Sequence, residues 1–125
     1  MKLWIDDVRP APEGYCWAKT LNTAIYEIMR YNKERDFAWY YYITGVYSRE
    51  QFERYLSTWN IEEISCDNDL GENEIEGYKL LDWLEATGHN YPIHIHTDNP
   101  VARERMRAII ERNGWTEVKQ NEKVL

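Results

Sequence analysis

Three short apolar runs in this chain each end in polar residues that can hold or move charge. Asp6-Asp7 follow Lys2–Ile5, Asp67-Asn68-Asp69 follow Glu62–Cys66, and His96-Thr97-Asp98-Asn99 close the run that starts at Pro92. If Asp6, Asp7 and Asp67 met in space they would repel, and at least one carboxyl pKa would rise. A hard divalent cation such as Mg²⁺ resolves that repulsion, because it accepts a few carboxylates and keeps positions open for water and phosphate oxygens. Taken singly, each acid equally suits a helix cap or a loop closed by backbone hydrogen bonds. Arg9 stands just past the first pair and suits either a forked contact with phosphate or an ion pair with a neighbouring acid. His96 has the chemistry of a general acid or base. Thr97 and the backbone amides of 99–102, where Asn99 begins a helix, offer donors to phosphate oxygens. Arg103 is near enough in sequence to help, and reads also as part of a solvated helix face. His94 lies on the same strand face as His96 and reads as a packed, hydrogen-bonded residue.

Such residues act together only if the elements before them run side by side. Lys2–Ile5 reads as a buried strand, and Pro10, Pro12 and Gly14 mark a loop after it. Tyr15–Thr20 has the makings of a short strand. Leu21, Ala24, Ile25, Ile28 and Met29 carry the spacing of a core-facing helix. Trp39–Val46, aromatic and β-branched, favours a strand. Ser48 with Gln51 is a capping box, and Phe52, Tyr55, Leu56 and Trp59 form the helical stripe behind it. Glu62–Cys66 and Pro92–Thr97 read as further strands. A helix from about Ile75 to Thr87 closes at Gly88. Asn99 and Pro100 open a helix with an apolar face of Ala102, Met106, Ile109 and Ile110, ended by Gly114. Trp115–Lys119 is a candidate last strand, and Gln120–Leu125 a frayed tail. Alternation of strands and helices predicts an α/β domain of three layers around a mostly parallel sheet. Ligands of such sheets sit outside the carboxyl ends of the strands, where all three polar clusters fall.

Composition narrows the partners. The chain has 125 residues, a length that predicts one domain over 1–125. Its 15 Lys and Arg stand against 22 Asp and Glu, a net charge of −7. That balance excludes a coat on duplex nucleic acid, which needs a basic stripe, yet leaves room for one phosphate held by an arginine or a metal. The longest apolar run, Phe37–Ile43, is far too short to span a membrane, and no signal-peptide core follows the first residue. Cys16 and Cys66 have no metal-type or redox-type spacing and predict reduced thiols in the cytoplasm. Trp39-Tyr40-Tyr41-Tyr42 suits a buried strand, a base-stacking platform or an exposed partner surface.

At these residues the sequence resembles a known family. MKLWIDDVRPAPEGY, ISCDNDLGE, EGYKLLDWLE and IHIHTDNPVARERM are together similar to the cyclic-phosphate-processing receiver-like family, whose fold is that of response-regulator receiver and flavodoxin-like domains. The resemblance covers the first fifteen residues and nearly all of 64–110. It carries over Asp6, Asp7 and Arg9, then Asp67, Asp69, Leu70 and Gly71, then His96, Asn99 and Pro100. It implies a cytoplasmic protein of bacterial or phage type that acts on a cyclic phosphate, such as an RNA 2′,3′-cyclic end or a cyclic nucleotide, in RNA repair. Taken together, the residues and the resemblance assign Mg²⁺ to Asp6, Asp7 and Asp67; catalysis to Asp67, Asp69 and His96; and phosphate binding to Arg9, Thr97, Asn99 and Arg103, with Thr97 and Arg103 resting on the residues alone. Asn68 stands where the family usually has His, and Ala102 where it usually has Gly. The stretch 31–60 looks inserted and suits a lid, a homodimer face or a protein-partner surface.

Four readings follow. The first is a metal-dependent phosphoesterase in which water or Asp67 attacks phosphorus and His96 protonates the leaving oxygen. The second is a module that binds the nucleotide or phosphate ligand without cleaving it. The third is a signalling receiver phosphorylated on Asp67, with Lys119 in the place of the usual lysine. The fourth is a protein-docking domain that uses 31–60.

Overall fold

Four parallel strands and four helices build the chain in a computed structural model that describes residues 1–119. The strands are β1 (Lys2–Ile5), β2 (Tyr15–Ala18), β3 (Glu63–Cys66) and β4 (Ile93–Ile95). The helices are α1 (Leu21–Ile43), α2 (Arg49–Thr58), α3 (Tyr78–Thr87) and α4 (Pro100–Asn113). The sheet order is β2-β1-β3-β4 and every pairing is parallel. This is the parallel α/β fold that the alternation of elements predicts, and the receiver-like form of it that the resemblance implies. The fold puts all four strand ends at one edge, and the polar clusters with them.

Local chemistry explains most boundaries. Thr20 caps α1 by accepting from the Thr23 amide, so β2 stops at Ala18 rather than Thr20. Ser48 and Gln51 close the expected capping box on α2. Gly88 and Gly114 end α3 and α4 at φ of 72° and 66°, values that suit glycine. The candidate last strand reduces to one parallel bridge, Ile93 to Glu117. The expected frayed tail, 120–125, lies outside the described residues.

One expectation is overturned outright. Trp39–Val46 is not a strand: α1 runs on to Ile43. β-propensity is a statement about packing on a pleated surface, and here a helical surface serves the rings as well. Trp39 and Tyr42, three apart on one helix face, both pack on Phe52 of α2, with centroids 4.9 and 4.6 Å away. Tyr41 reaches Tyr47, and Tyr47 reaches Tyr55. The aromatic stretch is thus a helical hairpin closed by its own rings. Tyr26, Met29, Phe37, Trp39, Tyr40, Ile43 and Val46 stay exposed on it, Met29 against the expectation of a core position.

A single core lies on one face of the sheet. Leu3, Ile5, Ala18, Ile64, Cys66 and Ile93 point toward it from the strands. Leu21, Ala24 and Ile28 of α1, Leu80, Leu81 and Leu84 of α3, and Met106, Ile109 and Ile110 of α4 fill it. Each fully buried aliphatic side chain contributes about 1.5–3 kcal/mol. The other face carries Lys2, Trp4, Tyr15, Glu63, Ser65 and His94, since alternate residues of a strand point opposite ways. Among the described residues no helix packs there. The expected third layer is missing because β1 and β2 are joined by the short loop 6–14, too short to carry a helix. Trp4 Nε1 donates to the Arg9 carbonyl and Trp17 Nε1 to that of Asp6, which ties this loop to the sheet. No described helix is long and apolar enough to cross a membrane. Cys16 and Cys66 are free thiols.

Candidate functional site

Asp6 and Asp7 leave the end of β1, and Asp67 leaves the neighbouring end of β3. Asp67 N donates to the Ile5 carbonyl at 3.0 Å, so the parallel ladder itself brings the acids together. One oxygen of each carboxylate lies within 4.8 Å of the others. They border a hollow of about 350 Å³ lined also by Val8, Arg9, Asp69, Gly71 and Asp98.

The three acids are held differently. Asp6 is buried; its Oδ1 accepts from the amides of Val8 and Arg9 at 2.9 and 2.8 Å, and its Oδ2 lies 3.1 Å from His96 Nε2. Asp67 is also buried and accepts from the Asn68 amide at 2.8 Å. Burial pushes its pKa up and the Asp6 charge adds to that, while the Asn68 amide, the Thr97 hydroxyl and Arg9 pull the other way. Asp7 is half-buried and has no ion-pair partner among the described residues. Gly71, at φ 110°, passes so near that an added Cβ would stand 3.3 Å from Asp7 Oδ2.

Arg9 is the cation of this cluster. Its guanidinium lies 3.3 Å from Asp6, 4.0 Å from Asp67 and 3.4 Å from Asp98. Of the two readings of Arg9, the structure shows the ion pair, on the floor and rim of the hollow at once.

The remaining sequence candidates are placed less openly. Asp69 is exposed at the rim. Thr97 is buried; its hydroxyl accepts from the Asn99 amide at 3.2 Å and donates to Asp67. Asn99 caps α4 by accepting from the Ala102 amide at 3.1 Å. With Pro100 lacking an N–H, the Val101 amide is the one left free of these local bonds in the first turn. Arg103 turns back to the Thr97 carbonyl instead of facing the hollow. His96 has a side chain only 7% exposed, stacked on Trp4 with centroids 3.8 Å apart and both ring nitrogens engaged. Burial pushes its pKa down to about 4 against the pull of Asp6, so the ring is neutral at pH 7. A neutral ring with no free nitrogen does not present a proton to a ligand. Lys119 borders a different hollow, beside Trp4, Tyr15, Glu63 and His94.

The Asn68 side chain turns from the three acids toward α3, keeping one contact of 3.4 Å to Asp69. Its amide nitrogen donates to Glu76 at 3.1 Å, and its Oδ1 accepts from the Tyr78 amide at 3.1 Å. It therefore caps α3 from the end of β3, and the helix starts at Tyr78 instead of near Ile75. Sequence reasoning also passed over Gly77. An added Cβ there would stand 1.9 Å from the Asp67 carbonyl oxygen, although φ is an ordinary −61°. Gly77→Ala is expected to push Asp67 out of the cluster and to cost about 1–3 kcal/mol of stability as an overpacked contact. A thermal melt checks the second effect, and loss of Mg²⁺ binding by calorimetry checks the first.

A larger hollow, about 540 Å³, lies at the opposite end of the sheet between Tyr31, Trp59 and Tyr91, and has no acid cluster. Comparison with known families matches residues 32–112 to the family described as Cyclic-phosphate processing Receiver domain. The matched span begins inside α1 and takes in the aromatic hairpin, Asp67, Asp69 and His96; Asp6, Asp7 and Arg9 lie before it. No curated protein and no solved structure matches the chain.

Proposed function

The chain belongs to the family of cyclic-phosphate processing receiver domains, and on that premise we propose that it is a metal-dependent phosphoesterase that opens a cyclic phosphate. One observation carries this reading: the meeting of Asp6, Asp7 and Asp67 at the strand ends. The three are hard oxygen donors, one of them half-exposed with no ion-pair partner among the described residues, and one with its pKa raised by burial and a like charge. Such a set fits Mg²⁺ or another hard divalent cation. Bound there, the cation would offset charge on phosphate oxygens and lower the pKa of a bound water.

The chain's own residues supply the rest. Arg9 turns from the acids to the phosphate and forks onto its oxygens. The free Val101 amide at the start of α4 adds a donor. Asp67, oriented by Thr97 and the Asn68 amide, takes the proton of an attacking water. The water oxygen bonds to phosphorus and the bond from phosphorus to one ribose oxygen breaks. Asp69, exposed at the rim, relays a solvent proton to that leaving oxygen. An RNA 2′,3′-cyclic end and a free cyclic nucleotide both present this phosphate.

The test is phosphorus NMR of the protein with a short RNA ending in a 2′,3′-cyclic phosphate, and with cyclic nucleotides, in the presence and absence of Mg²⁺. Metal-dependent conversion of the cyclic signal to a monoester is the expected result. A cyclic signal that shifts or broadens but persists would show a binding module instead.

A further inference from the structure

We infer that Ser65 and His94, on the helix-free face of the sheet, are positioning residues for the acid cluster: through the ring of His96 they hold the Asp6 carboxylate in one orientation. The inference rests on the reading of Asp6 as a cation ligand. Neither residue borders the hollow of the acids.

The chain of contacts is continuous. Asp6 Oδ2 lies 3.1 Å from His96 Nε2, His96 Nδ1 lies 2.8 Å from Ser65 Oγ, and Ser65 Oγ lies 2.7 Å from His94 Nδ1. The register explains it: Trp4, Ser65 and His94 are cross-strand partners on β1, β3 and β4, and His96 follows His94 on the same face. Trp4 stacks on His96 with the planes 5° apart, which fixes the ring's tilt. Ser65 is wholly buried.

Counting hydrogens orders the chain. Asp6 Oδ1 already accepts two backbone N–H bonds and the Arg9 guanidinium faces Oδ2 at 3.3 Å, so both oxygens serve as acceptors. His96 Nε2 must therefore carry the hydrogen. A neutral imidazole has one N–H, so His96 Nδ1 accepts, and the Ser65 hydroxyl donates to it. That hydroxyl has no second hydrogen, so His94 Nδ1 donates to Ser65. His94 Nε2 is then a bare acceptor in the second hollow, about 250 Å³, beside Tyr15, Glu63 and Lys119. Every hydrogen has one place, and each ring is locked by the group behind it. Removal of a link leaves the next one free to rotate, and partners behind a metal ligand are commonly worth about 10–100-fold in metal affinity.

The test reads the rings directly. Long-range proton–nitrogen NMR of the metal-free protein at neutral pH is expected to show His96 with hydrogen on Nε2 and His94 with hydrogen on Nδ1, the rarer tautomer. Ser65→Ala should return His94 to the Nε2–H form, while Mg²⁺ affinity measured by calorimetry falls about tenfold. His94→Ala should weaken Mg²⁺ to a similar degree. His94→Asn, whose amide nitrogen can still donate to Ser65, should restore it. His94 found as the Nε2–H tautomer in the wild type, or Ser65→Ala with unchanged tautomers, overturns the inference. So does a Mg²⁺ affinity indifferent to both His94 variants. A wild-type protein that binds no Mg²⁺ would instead overturn the metal reading, and the tautomers alone then decide the orientation of Asp6.

Discussion

Asp67→Asn is expected to abolish turnover of a cyclic phosphate, by about a thousandfold or more, and to leave a protein that melts higher than the wild type at pH 7. The first effect follows from the role proposed for the carboxylate. An amide neither takes the proton of an attacking water nor balances a divalent cation, and removal of a positioned base alone costs about 10²–10⁴ in rate. The second follows from its surroundings. Asp67 is buried beside Asp6, and its pKa is raised for those two reasons. A carboxyl with a raised folded pKa is most favourable to the fold when protonated. Its charged form therefore costs stability above the folded pKa, and the wild type recovers that stability as the pH falls toward the unfolded value of 3.8. The variant's advantage in melting temperature should shrink over the same range and vanish below it. Phosphorus NMR measures the turnover, and thermal melts at several pH values measure the stability. Unchanged turnover would remove Asp67 from the mechanism. A lower melting temperature at pH 7 would mean that its hydrogen bonds outweigh its charge.

Arg9→Ala is expected to act in opposite directions on two ligands. The guanidinium lies 3.3 Å from Asp6 and 4.0 Å from Asp67, where it neutralises the acids that would hold a cation. Unit charges 4 Å apart interact by about 4 kcal/mol near a protein surface, and less when one is half-exposed as Arg9 is. Loss of this competitor should tighten Mg²⁺ about tenfold, which corresponds to about 1.4 kcal/mol. The same change removes the forked contact with phosphate, and a cyclic nucleotide should bind about a hundredfold more weakly in saturating Mg²⁺. Calorimetry with the metal alone, then with the nucleotide, separates the two. Weaker binding of both would make Arg9 a structural pin of the loop 6–14. Its backbone already serves there, through the Trp4 and Asp6 bonds that alanine would keep.

The acid trio was legible because it needs only two facts: strands that end in acids, and a parallel sheet that lines those ends up. Helix caps were legible for a similar reason, since Ser48, Asn99, Gly88 and Gly114 act within a turn of their own position. What escaped depends on register. Nothing local says that Ser65 lies between His94 and Trp4, and so the lock on His96 and its neutral ring were out of reach. The resemblance marks Asn68 only as a replacement for the family's histidine, whereas its side chain serves the start of α3 ten residues on. Arg103 and Asn99 each carried two readings, and the contacts seen are to a backbone group of their own loop or helix. The aromatic run misled because ring-rich segments pack equally well as strand or helix, and the partner α2 decides between them. The missing second helix layer had one visible sign: too few residues between Ile5 and Tyr15 to build a crossover helix.

The hairpin of α1 and α2 divides the chain's cooperativity. A 23-residue helix is about 34 Å long, whereas the strands it serves span about 13 Å. Its core contacts stop at Tyr31; beyond that point Ala38 and Phe52 are buried within the hairpin. The helix starts beside the acids and runs away from them, so the overhang lies at the far end of the sheet. Opening of this overhang breaks ring contacts within the hairpin and leaves Leu3, Ile64 and Leu80 packed. Its free energy is therefore lower than that of global unfolding, and its amides form a separate exchange unit. The far half of the hairpin can fray, exchange or take an insertion while the strand ends that carry Asp6 and Asp67 stay closed.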